Sequence, residues 1–129
     1  MQDSKINFLY KILLTSHELP SLSSSEIPIP QTTLDKKDGF IHLSNSAQVI
    51  QTASRFFDTE DEILVLKISH YQNGIKENIK WETPPGLEER FPHFYGDLLV
   101  KHIVDIVRVK NLKKGGSEGF EWPEGWLEV

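Results

Sequence analysis

Apolar residues along this chain come in short blocks separated by turn-forming runs, and the blocks differ in period. Ile6 to Leu14 (INFLYKILL) is rich in β-branched and aromatic residues and predicts a first strand. Thr15 to Leu19 predicts a short helix that Pro20 stops. Residues 21–35 hold four serines and two prolines and read as a surface loop. Lys36-Lys37-Asp38-Gly39 then reads as a turn into a strand from Phe40 to Leu43. Helical spacing follows at Ala47, Ile50, Ala53, Ser54 and Phe57, with Val49 and Phe56 widening the apolar stripe. Asn45 with Gln48 supplies a helix start, as does Ser44 acting as the cap itself. After the acidic turn Asp58–Asp61, Ile63 to Ile68 (ILVLKI) predicts a central strand with cover on both faces. A polar segment with Asn73-Gly74 leads to a short strand, Ile79–Glu82, which Thr83-Pro84-Pro85-Gly86 breaks. Phe91–Tyr95 and His102–Val109 follow as further strands, the last closing the sheet. Phe120, Trp122 and Trp126 are expected to pin a loop-like tail to the body.

This order of elements predicts a single α+β domain over residues 1–129, with several strands and one main helix. The length allows one domain with a core of its own. The composition, 38% hydrophobic and 26% charged, argues against disorder across the whole chain. A net charge of −5 gives no basic field for bulk nucleic-acid binding. The absence of cysteine removes disulfides, thiol catalysis and cysteine–zinc sites. MQDSKINFLYKILL lacks the pattern of a signal peptide, and no segment has the length of a membrane span. A cytoplasmic or nuclear location is expected, with no membrane partner.

Strand alternation selects the candidate chemistry. In Gly39-Phe40-Ile41-His42-Leu43-Ser44, His42 and Ser44 lie two residues apart and share a face, while Ile41 and Leu43 share the other. In Phe91-Pro92-His93-Phe94-Tyr95-Gly96, His93 and Tyr95 are paired in the same way. An imidazole titrates near neutral pH, so His42 and His93 are candidates for acid–base work or hydrogen bonding. A lone histidine is more often a half-buried residue satisfied by backbone; two, each with a hydroxyl at i+2, favour a site. Glu82 beside Trp81 at a strand end is a candidate polar anchor, with a solvated glutamate as the bland alternative. Arg55 is a candidate phosphate contact or an exposed helix residue. Ser44 at a strand-to-helix junction suits an anion held at a helix N-terminus. No histidine spacing suits a metal, Ser44 lies outside any nucleophile elbow, and there is no phosphate-loop or dinucleotide fingerprint.

Several words occur in order: Leu9-Tyr10-Lys11-Ile12, Asp38 to Ser44, Thr52-Ala53 with Arg55-Phe56-Phe57, Leu64-Val65-Leu66, Lys80-Trp81-Glu82, and Phe91 to Gly96. By these words the chain is identified as a member of the family called domain of unknown function 952. The family-like core then spans about 6–112, with a loop insertion at 21–35 and a tail at 113–129. His42-Leu43-Ser44, the helix carrying Thr52-Ala53 and the strand at Ile63–Ile68 also resemble the middle of the RNA 2′-phosphotransferases. Those enzymes have ADP-ribosyltransferase-like folds, which hold NAD in the cleft of a split sheet. The resemblance implies a split, mostly antiparallel sheet and a nucleotide- or NAD-like ligand, with His42 and Ser44 on its ribose or phosphate. Where the phosphotransferases carry a histidine on the first strand, this chain has Lys11. Where they carry an arginine before the histidine-leucine-serine word, it has Gly39 and Phe40.

Three functional readings stand side by side. In the first, an ADP-ribosyltransferase-like enzyme or inactive relative acts on a nucleotide or NAD. His42, His93 and Glu82 are its catalytic candidates, and Ser44, Trp81, Tyr95 and Arg55 its ligand contacts. In the second, a non-catalytic module holds a small anionic metabolite or peptide. In the third, a two-histidine phosphoesterase uses His42 and His93 on one phosphate.

Overall fold

The computed structural model describes residues 6–72, 74–113 and 119–129. The expectations placed on Met1–Lys5, on Asn73 and on residues 114–118 of the tail lie outside the described residues.

The central strand is β3 (Glu62–Ser69), whose apolar residues need cover on both sides. It pairs antiparallel with β1 (Phe8–Leu14) in the register Phe8↔Ser69 to Leu14↔Ile63. On its other edge it pairs with the last strand, β6 (Ile103–Lys110), from Glu62↔Lys110 to Ile68↔Ile103, with an irregularity between Lys67 and Ile68. A second sheet has the order β2-β5-β4, where β2 is Ile41–His42, β4 is Ile79–Glu82 and β5 is Phe91–Phe94. Both three-stranded sheets are antiparallel. Tyr10 and Ser44 join them through reciprocal backbone hydrogen bonds of 2.8 and 2.9 Å. The protein is thus an α+β fold with a split antiparallel sheet and one main helix.

Two apolar clusters fill it. One lies between the sheets, where Leu9, Leu13, Leu64, Leu66 and Ile68 meet Ile41, Leu43 and Phe94, with Ile79 and Trp81 packed alongside. The other lies on the opposite face of β1 and β3, where Tyr10, Ile12, Ile63 and Val65 meet Val49 and Ala53 of the main helix. That helix is α2 (Ser46–Phe56), the second in chain order. Its start is the box drawn from the sequence: Gln48 N–H donates to the Asn45 side chain at 2.8 Å, and Asn45 N–H donates to Gln48 Oε1 at 3.0 Å. Asn45, not Ser44, is the cap. The buried stripe is narrower than expected, because Phe56 is 62% exposed. The tail docks as predicted. Phe120 is buried in the helix-side cluster, and the partly buried Trp122 and Trp126 pack against it. The Tyr10 hydroxyl donates to the Glu128 carbonyl and accepts from its N–H, both at 2.7 Å. Lys67 pairs with Glu128 at 2.8 Å and lies over the rings of Phe8 and Trp126.

Two local expectations are corrected. Thr15–Leu19 forms no helix; His17 N–H closes a turn onto the Leu14 carbonyl at 3.0 Å, and the His17 ring accepts from Leu14 N–H. Lys36–Asp38 is not a turn but the last part of a helix, α1 (Thr33–Asp38). Thr32 and Asp35 form its capping box, and Gly39 ends it in the left-handed region at φ 80°. A short polar helix leaves little apolar period to read. Only the Thr-x-x-Asp spacing announced it. Among the described residues, no helix is long and apolar enough to cross a membrane.

Leu66 is fully buried between the sheets. Leu66→Ala should cost about 2–5 kcal/mol in urea unfolding. Asn45→Ala, which removes one cap, should cost about 1 kcal/mol. The reverse order would contradict the central placement of β3.

Candidate functional site

The small sheet has an inner face and an outer one. Ile41, Ile79, Trp81 and Phe94 belong to its inner side, so alternation turns His42, Lys80, Glu82 and His93 outward. Register sets them in a row: His42 of β2 is directly opposite His93 of β5, which is directly opposite Lys80 of β4. The two imidazole rings are 5.5 Å apart and steeply inclined. Phe40 lies over the pair. Its ring stacks on His93 at 4.1 Å and stands 4.7 Å from His42 and 5.3 Å from Tyr95.

His93 has one committed nitrogen. Its Nδ1 lies 2.8 Å from Glu82 Oε1, and the same oxygen accepts from the Tyr95 hydroxyl at 2.7 Å. Those hydrogen bonds, Tyr95 first, hold the Glu82 carboxyl below its ordinary range. Donating to a carboxylate pushes the Tyr95 hydroxyl up. The His93 side chain is 4% exposed. Burial pushes its pKa down and outweighs the opposing pull of Glu82, and His42 adds to the lowering. Above that lowered pKa the contact with Glu82 is a hydrogen bond from a neutral ring. A carboxylate only accepts, so the ring's proton sits on Nδ1. Nε2 is left as a lone pair, buried and without a hydrogen-bond partner.

His42 is held on both sides. Nδ1 lies 2.7 Å from Asp35 Oδ1 and Nε2 lies 2.9 Å from Asp38 Oδ2. Asp35 also accepts the His42 backbone N–H at 3.0 Å and the Lys11 ammonium at 2.7 Å. Burial pushes the Asp35 carboxyl up. Hydrogen bonds from His42 and Lys11, and the charge of Lys11, outweigh it and hold the group far below the usual carboxylate range. Lys11 lies between the sheets; burial pulls its pKa down, against the attraction of Asp35.

The structure brings four predicted residues together: His42, His93, Glu82 and Tyr95. Three others lie elsewhere. Ser44 spends its backbone on the bridge to Tyr10, and no hydrogen bond ties its hydroxyl to either histidine. Trp81 packs on the inner side of its strand against the inter-sheet cluster. Arg55, in the last turn of α2, lines a cavity with Phe56, Leu87 and Phe91 that includes neither histidine. Sequence reasoning missed Asp35, Asp38 and Phe40 as site residues. The signals were present: Asp38 stands four residues before His42, Phe40 two before it, and Asp35 closes the Thr32 box. Among the described residues, no group of three or more His, Cys, Asp or Glu side chains is arranged to hold a metal.

Residues 15–106 match the model of a family described as a protein of unknown function, DUF952. The crystal structure of protein CC0527 from Caulobacter crescentus is similar, with 28% identity and a TM-score of 0.68 over 84% of this chain and 91% of that one. Its solution NMR structure is similar with 27% identity and a TM-score of 0.62, over 88% of this chain and 90% of that one. No curated protein matches the chain.

Both perturbed groups that face His42 lose stabilisation in acid. The folded pKa of Asp35 lies below the unfolded value of about 3.9, so its contribution is present above that pH and lost as pH falls through the folded value. The folded pKa of His93 lies below about 6.5, so protonation begins to favour the unfolded chain under that pH. Asp35→Asn strands Lys11 as a buried charge and should cost about 3–5 kcal/mol at pH 7. It should also flatten the acid limb of a stability-versus-pH curve below about pH 4. A wild-type curve that stays level down to pH 2 would contradict the ion-pair geometry.

Proposed function

The chain belongs to the DUF952 family of proteins of unknown function, and within that family we propose that its outer histidine face is an acid–base site for a small hydroxyl-bearing ligand of the ribose or nucleotide type. The observation that carries this reading is His93. Glu82, itself steadied by Tyr95, fixes the imidazole tautomer, and Nε2 is left neutral, buried and unpartnered. A ligand hydroxyl donating to Nε2 would satisfy that atom. If the proton moves, it passes from the ligand oxygen to Nε2, and the Glu82 carboxylate stabilises the imidazolium that forms. Phe40, only partly buried, must yield its stacked position for the ligand to enter.

His42 takes the positioning role in this reading, with Asp38 at the rim accepting a second hydroxyl. Three carboxylates around the histidines favour sugar hydroxyls over phosphates at this face, and the exposed Lys80 offers one cation for a phosphate at its edge. NAD is the first ligand to test, because the ADP-ribosyltransferase resemblance points to it. A two-histidine phosphoesterase is disfavoured, since carboxylates face both nitrogens of His42 and would repel a phosphate. The same face holding a metabolite without turnover is the non-catalytic alternative, and an assay for product separates it from the enzyme.

Titration of NAD, adenosine and ribose into the 15N-labelled protein should move the amides of Phe40, His93 and Tyr95. His93→Gln should weaken the best ligand about 5- to 150-fold, the loss expected when a buried hydrogen-bond partner is removed. Binding should fall as pH drops through the lowered His93 pKa. In Glu82→Gln that acid limb should move to still lower pH, because Glu82 raises the pKa. Amides that stay unmoved at millimolar concentrations of all three compounds would rule out this ligand class.

A further inference from the structure

The second half of α2 and residues 86–91 flank an open cleft of about 340 Å³ whose lining includes neither histidine. Its size is at the lower end of small-molecule sites, roughly 300–1,000 Å³. One wall is helical. Thr52 and Arg55, one turn apart, share a face of α2, with Phe56 beside them. The other wall is the loop, which presents Leu87 and Glu88, and Phe91 closes the end. One cation, Arg55, and two carboxylates, Glu88 and Glu89, thus line the cleft. Among the described residues Arg55 forms no ion pair, and its guanidinium stands 6.0 Å from the centre of the Phe56 ring. Among the described residues the Glu88 side chain likewise forms no ion pair or hydrogen bond. The neighbouring Glu89 is already engaged, accepting from Gln48 Nε2 at 3.0 Å. Phe56, a large aromatic left 62% exposed, completes an apolar strip with Leu87 and Phe91.

The geometry points to a binding site for a zwitterionic small molecule with an apolar body, of the free amino-acid class. Its carboxylate pairs with the Arg55 guanidinium and accepts from the Thr52 hydroxyl. Its ammonium pairs with Glu88 across the void. Its side chain lies on Phe56, Leu87 and Phe91. A guanidinium suits a carboxylate because its donors match the two oxygens. A simple anion would leave Glu88 as a repulsive neighbour, and a simple cation would leave Arg55 as one. The inference stands apart from the histidine site, and either can fail alone.

The test is a titration of L-leucine, L-methionine and L-phenylalanine into the 15N-labelled chain. At least one should produce saturable shifts at the amides of Thr52, Leu87 and Glu88. The deaminated and decarboxylated counterparts of leucine, 4-methylpentanoate and 3-methylbutylamine, should each bind at least about tenfold more weakly, as expected for losing a charged hydrogen bond. Arg55→Ala and Glu88→Gln, both at exposed positions, should keep a dispersed spectrum and lose binding by a similar factor. His93→Gln should bind as the wild type does. The inference is overturned if none of the three amino acids moves these amides. It is also overturned if 4-methylpentanoate binds as well as leucine, or if Arg55→Ala leaves the affinity unchanged.

Discussion

The carboxylate of Asp35 is the point on which the candidate site depends. It is contributed by a six-residue helix and is out of contact with solvent. It accepts from Lys11 on the first strand of one sheet and from both the ring and the backbone of His42 on the other. A buried carboxylate is costly unless several donors surround it, and here Lys11, His42 and the Thr32 backbone N–H supply them. One charge therefore fixes the helix, the edge of the small sheet and the rotamer of His42 together. The Tyr10–Ser44 bridge joins the sheets by backbone alone, whereas Asp35 joins them by a side chain whose loss would leave a lysine unpaired.

The histidines look symmetrical in sequence and are not so in space. Each has a hydroxyl residue at i+2, and they sit directly opposite one another across two strands. Yet His42 is gripped at both nitrogens, and His93 at one. The difference comes from what lies beside each strand. β2 is an edge strand with α1 next to it, which delivers two aspartates. β5 is central and meets only the single carboxylate of β4. An edge position gave His42 partners enough to hold it still, while a central position buried His93 and left one atom open.

What could be read from the sequence follows from period and what could not follows from distance. The strands Ile63–Ile68 and Ile79–Glu82 and the Asn45 box were legible because β-branched runs and capping spacings are local signals. The joining of His93, Glu82 and Tyr95 was half legible: alternation put His93 and Tyr95 on one face, but only the β4–β5 register placed Glu82 beside them. Helix α1 was not seen because its six residues carry no apolar stripe, and with it went Asp35 and Asp38. Trp81, expected as a stacking contact for the ligand, packs away from the histidine face. In a strand, neighbours point to opposite faces, and Trp81 went to the core.

The clasp between Tyr10 and Glu128 has a consequence for the order in which the protein can be completed. Their partners are separated by 118 positions along the chain. Tyr10 is 1% exposed in the finished fold, and its hydroxyl hydrogen-bonds the backbone of Glu128. During synthesis the first strand emerges 118 residues ahead of its partner, and that hydroxyl waits until Glu128 has followed. Until then, the end of the sheet carrying Phe8 and Lys67 lacks the cover of Trp126. The segment around Glu128 therefore acts as a latch, and that end of the nascent sheet stays wet and incompletely sealed until the latch has emerged.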